Sequence, residues 1–90
     1  MRVLTLVESN EFTRQLVELG DPEEIAWQIR GLLWGISRNP EQFDKVPGVG
    51  VRFAKSKPFV INRTRQRLYI FFVDHLDQVE LLYLTTVAIE

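Results

Sequence analysis

The chain contains no cysteine. That excludes a disulfide framework, a thiolate nucleophile and any zinc site built on sulfur, and it gives no reason to place the protein in an oxidising compartment. It also lacks any apolar run approaching the ~20 residues that cross a bilayer. The opening MRVLTLVES is too short for a signal h-region, so the expectation is a soluble cytoplasmic protein. Histidine is nearly absent. His75 is the single one and falls in DHLDQ, residues 74 to 78, where it reads as an exposed turn residue and not as a base or metal ligand. Asp74, Asp77 and Glu80 crowd the same turn without the ligand spacing of a calcium loop. No phosphate-binding, dinucleotide, zinc-protease or nucleophile-elbow motif is present, and no metal or cofactor is expected.

The most informative absence is local. Between Asp44 and Asp74 there is no acidic residue, while Lys45, Arg52, Lys55, Lys57, Arg63, Arg65 and Arg67 give the stretch a charge of +7. The remaining four cations stand against all twelve acids, so the net charge of -1 conceals a segregated distribution. A positive block of this kind focuses a field over one face and attracts a phosphate backbone or an acidic partner.

What is present is enough for one core. Ninety residues at 46% hydrophobic composition fit a single domain spanning 1–90. Residues 2 to 7, RVLTLV, alternate as a strand does. Phe12, Leu16 and Leu19 form a helical stripe between Glu8 and Gly20, with Ser9 or Asn10 as N-cap. A second start signal follows in Asp21, Pro22 and Glu24, and Ile25, Ile29, Leu32, Leu33 and Ile36 supply an apolar face up to the stop at Asn39 and Pro40. Trp27 and Trp34, seven residues apart, read as a second stripe packed in the core or at the helix edge.

Residues 41 to 50 read as an irregular connection, and three strands follow over 52–61, 65–73 and 79–87, joined by NRT and DHLDQ. The expected order is β-α-α-β-β-β, an α+β fold with a helical hairpin on a mainly antiparallel four-stranded sheet. A three-residue NRT turn would set Ala54, Val60, Leu68, Ile70 and Phe72 toward the helices. Lys55, Lys57, Phe59, Arg65, Arg67, Tyr69 and Phe71 would then share the other face. Cations among aromatic rings are the two ingredients of single-strand nucleic-acid binding, in which charges track phosphate and rings stack bases. Pro58 lacks an N–H and belongs on an edge or at a bulge, so the strand holding Lys55 and Lys57 is expected to be interrupted or peripheral. The last strand is apolar on both faces, which implies a protein partner or self-association.

The chain resembles the RelE/ParE toxins of bacterial toxin–antitoxin pairs. The resemblance rests on the element order over the whole length, on the NP stop followed by KVPGVGVRF, and on the Arg that opens a hydrophobic strand in QRLYIFFVDHLDQVELLYL. It implies a toxin neutralised by a cognate antitoxin, acting as a metal-independent, ribosome-dependent mRNA endoribonuclease or, in the ParE branch, as a gyrase inhibitor. In the nuclease branch it implies catalytic roles for the matching cations Lys55, Lys57 and Arg67, with Arg52 nearby. Tyr69 beside them is a further catalytic candidate, as a stacking ring or as the base, and the basic segment and its face add Arg63, Arg65 and Phe71 to Arg52 as RNA-binding candidates. Nuclease members usually carry further basic, Tyr or His residues at the end of the last strand. Ala88 and Ile89 stand there in this chain, so a contact-only relative, or a homodimeric interaction domain, is the alternative expectation.

Overall fold

The computed structural model describes residues 3–20 and 23–89. It is α+β: two helices and a mixed sheet of six strand segments. The elements are β1 (Thr5–Glu8), α1 (Asn10–Leu19), α2 (Glu23–Arg38), β2 (Asp44–Lys45), β3 (Arg52–Lys55), β4 (Phe59–Ile61), β5 (Thr64–Asp74) and β6 (Gln78–Ala88), with a 3-10 turn over Pro40–Gln42. The sheet order is β1-β6-β5-β3-β2, and β4 also pairs with β5. Every pairing is antiparallel except β1 with β6.

Both helices form for reasons visible in the sequence. Ser9 caps α1 by accepting a hydrogen bond from the Phe12 N–H at 3.1 Å. Gly20 ends it at φ 75, a left-handed conformation that costs glycine little. The expected cap of the second helix at Asp21 and Pro22 lies outside the described residues. α2 runs to Arg38, and Pro40 is buried in the 3-10 turn that follows. Gly35 is the close-approach position on α2, since a Cβ there would sit 3.3 Å from Cζ of Phe43. The Phe43 ring in turn meets Phe72 edge-on at 5.8 Å.

One core holds these layers together. Phe12, Ile25, Ile29 and Ile36 from the helices pack with Ala54, Phe59, Leu68, Ile70, Phe72, Val79, Leu81 and Leu84 from the sheet. Burial of a large apolar side chain contributes about 1.5–3 kcal/mol, so this cluster is the main source of stability. Beyond Glu8, where β1 stops, side chains of α1 and its N-cap bond the free edge of β6. The Ser9 hydroxyl donates to Leu82 O at 2.9 Å, and Gln15 Oε1 accepts from Leu84 N–H at 2.6 Å.

The structure corrects three expectations. The hairpin turn has two residues and not three: Asn62 and Arg63, at φ 52 and 63, connect the pairs Ile61↔Thr64, Val60↔Arg65 and Phe59↔Gln66. Two successive left-handed residues match the twist of the flanking strands. The interruption expected at Pro58 is present, dividing 52–61 at Ser56–Lys57–Pro58 into β3 and β4; the correction is to the register, because β3 pairs with β5 one residue out of phase with β4. Val60 is therefore 62% exposed, and Phe59 is 4% exposed in the core, the reverse of the three-residue-turn reading. The third correction concerns Trp27 and Trp34, each 61% exposed and outside the core.

Candidate nucleic-acid interface

The helices cover one face of the sheet, and the other face is open. Its composition follows from register. On β3 and β5, Phe53 faces Phe71 and Lys55 faces Tyr69; on β5 and β6, Phe71 faces Tyr83, Tyr69 faces Thr85 and Arg67 faces Val87. Directly opposed residues of antiparallel strands share a face. Arg65, opposite the exposed Val60, continues the same row.

Four rings lie side by side on this surface. Phe53 to Tyr69 is 6.3 Å between centroids, Phe53 to Phe71 is 6.1 Å, Tyr69 to Phe71 is 6.4 Å with planes 16° apart, and Phe71 to Tyr83 is 6.1 Å. The separations are those of neighbouring positions on the pleat, so the rings form a continuous slab. Tyr83 is 41% exposed, and the other three are half-buried against one another. Tyr83 and Phe53 were not among the sequence-derived candidates. The signal for Phe53 was its two-residue offset from Lys55, and for Tyr83 the hairpin register opposite Phe71.

Cations cluster at the end of the slab nearest the β4–β5 turn. Lys55 stands beside Tyr69, and Arg67 and Arg65 follow along β5. Among the described residues, none of the seven cations between Asp44 and Asp74 is in a salt bridge. Arg67 Nε is buried with no hydrogen-bond acceptor. A guanidinium N–H left in that state costs free energy until an acceptor arrives, and charged acceptors make the stronger bonds. Lys57 is exposed in the β3–β4 break beside this row, and Arg63 is exposed in the turn.

Arg52 does not join them. It pairs with Phe72, on the core side of the sheet, and its Nη1 donates to Phe43 O at 2.8 Å and Glu41 O at 3.3 Å. That side chain ties the segment around the 3-10 turn to β3. His75 lies in the β5–β6 turn, 3.4 Å from a Glu80 carboxylate oxygen, well away from the basic row in sequence and register.

A β-bulge sets the phase of β6. Leu82 is the extra residue between the pairs Phe71↔Tyr83 and Phe72↔Leu81. It allows Leu81 and Leu84, three apart, both to be buried while Tyr83 points outward. The two-faced apolar character of the last strand is thereby resolved into core residues on one side and Tyr83 and Val87 on the other.

Comparison with protein-family models, with curated proteins and with solved structures finds no match to this chain. No helix among the described residues is long and apolar enough to cross a membrane.

Proposed function

We propose that this protein is a RelE/ParE-like toxin that binds single-stranded RNA on the open sheet face and cleaves messenger RNA at the ribosome, in the cytoplasm, under control of a cognate antitoxin. The observation that carries the reading is the unneutralised row Lys55, Arg65 and Arg67 beside the Phe53–Tyr69–Phe71–Tyr83 slab, with Arg67 Nε lacking an acceptor. Element order and the residues that carry the family resemblance support the same assignment.

The arrangement suits a strand whose bases are unstacked. Rings accept base planes, and each such stacking contributes about 1–3 kcal/mol without demanding a particular base. Cations at one end of the slab then receive the phosphates. Attack of a ribose 2'-oxygen on the adjacent phosphodiester, its proton passing to water, expels the 5'-oxygen of the next nucleotide, which takes up a proton from water, and leaves a 2',3'-cyclic phosphate. Negative charge concentrates on the phosphoryl oxygens on the way, and fixed donors aimed at that charge lower the barrier. Arg67 is assigned this role with Lys55 and the neighbouring Lys57, and Tyr69 is assigned base stacking.

The test is induced expression of the wild-type chain and of Arg67→Ala in a bacterial host, following growth and mapping 5' ends of messenger RNA. Growth arrest with new cleavage ends is expected, and the substitution should reduce cleavage about 10²–10³-fold, the usual effect of removing one transition-state donor. RNA binding in vitro should weaken with salt by about 0.7 log units per log unit for each phosphate neutralised. Arrest with intact messages would overturn the nuclease assignment. It would favour a protein target such as gyrase, the reading that Ala88 and Ile89 at the end of β6 support.

A further inference from the structure

The face of α2 opposite the core carries a second surface, remote from the open side of the sheet. Glu24, Trp27, Gly31, Trp34 and Arg38 follow one another at spacings of three, four, three and four residues, which places them in a single stripe along the helix. Ile25, Ile29 and Ile36 occupy the buried side. Both indoles are 61% exposed, and a Cβ at Gly31 would meet nothing within 4 Å, so a shallow notch separates the rings. Arg30 lies 5.8 Å from the Trp27 ring centroid and Arg38 lies 4.2 Å from that of Trp34. These are the only two tryptophans of the chain.

We propose that this stripe pairs with the same stripe of a second copy, the two α2 helices running antiparallel and crossing at Gly31. The charge order along the helix chooses this occupant. Glu24 near the N-terminal end and Arg38 at the C-terminal end are equidistant from Gly31, so a two-fold axis there sets Glu24 of each copy against Arg38 of the other. Parallel pairing would set Glu24 against Glu24 and Arg38 against Arg38. The antiparallel arrangement also opposes the helix dipoles. Trp27 of one copy then meets Trp34 of the other across the notch, where the absence of a side chain at Gly31 lets the helices approach. A two-fold interface must be self-complementary, and this stripe is.

The interface is small. A helix of 16 residues is about 24 Å long, so the pair buries an area at or below the ~1,200 Å² end of specific interfaces and forms a concentration-dependent dimer. The pairing leaves the open sheet face free, and the two assignments succeed or fail separately.

The full chain is examined by sedimentation equilibrium and by tryptophan emission across a concentration series. A monomer–dimer equilibrium is expected, with emission moving to shorter wavelength as dimer forms, because every indole lies on the proposed interface. Glu24→Arg should weaken association about tenfold or more by placing like charges at both ends, and Glu24→Arg with Arg38→Glu should restore it. Circular dichroism melts establish that both variants are folded. A monomer with unshifted emission at every concentration overturns the proposal, as does a dimer indifferent to Glu24→Arg.

Discussion

Ser56 repairs the sheet at the point where Pro58 interrupts it. It is 4% exposed, its N–H donates to Leu68 O, and its hydroxyl accepts from Leu68 N–H at 2.9 Å while donating to Lys57 O at 2.8 Å. Removing the hydroxyl strands a buried N–H at the centre of β5. Ser56→Ala is therefore expected to lower stability by about 1–3 kcal/mol in urea unfolding, far more than a surface serine would. Gln15 serves β6 in the same way. Neither role was legible in the sequence, because a polar residue that bonds to backbone 12 or 69 positions away leaves no periodic trace. The aliphatic core was legible: Ile25, Ile29, Ile36, Leu68 and Ile70 announce themselves by spacing.

At the scale of elements, the hairpin shows why faces are harder to read than strands. NRT contains no glycine, so nothing marks Asn62–Arg63 as the two-residue turn and Thr64 as part of β5. The one-residue difference reverses β4, exchanging Phe59 and Val60 between core and solvent. β3 escapes the exchange because the Ser56–Pro58 break adds a second one-residue shift, and two such shifts restore parity. That compensation is why Lys55, Arg65, Arg67, Tyr69 and Phe71 share a face under either turn length. Arg63 at φ 63 pays the steric penalty of an L residue in the left-handed region. Arg63→Gly is expected to stabilise the fold by about 0.5–1 kcal/mol, seen as a higher urea midpoint at unchanged slope. An unchanged or lowered midpoint would mean that Arg63 makes up the strain elsewhere.

Across the whole molecule, charge is organised by segment of the chain. The acid-free segment supplies β3, β4 and most of β5, while the twelve acids lie before and after it, four of them on the helices: Glu23, Glu24, and Glu11 and Glu18, which both pair with Arg14. Those two carboxylates raise the Arg14 pKa from its ordinary value, chiefly through the Glu11 hydrogen bond. The segregation was legible as a count along the chain. The open ring slab was only half legible, since it needs the β5–β6 register that the bulge at Leu82 alters. The outward aromatic pair of α2 was not legible at all, because two tryptophans on a helix are more often found inside.

The parallel pairing of β1 with β6 sets the order of folding. β5 and β6 are joined by three residues and can close early, whereas β1 must find a strand near the other end of the chain, and the Ser9 bond to Leu82 spans 73 positions. Closing so long a loop before any reward delays that contact. In stopped-flow kinetics, Leu68→Ala on β5 should slow folding. Phe12→Ala, which removes the α1 anchor against the sheet, should chiefly speed unfolding. A chain whose last strand has yet to emerge from synthesis would hold β1 without a partner and α1 without the edge it docks on, so whatever the open face does begins only when β6 arrives.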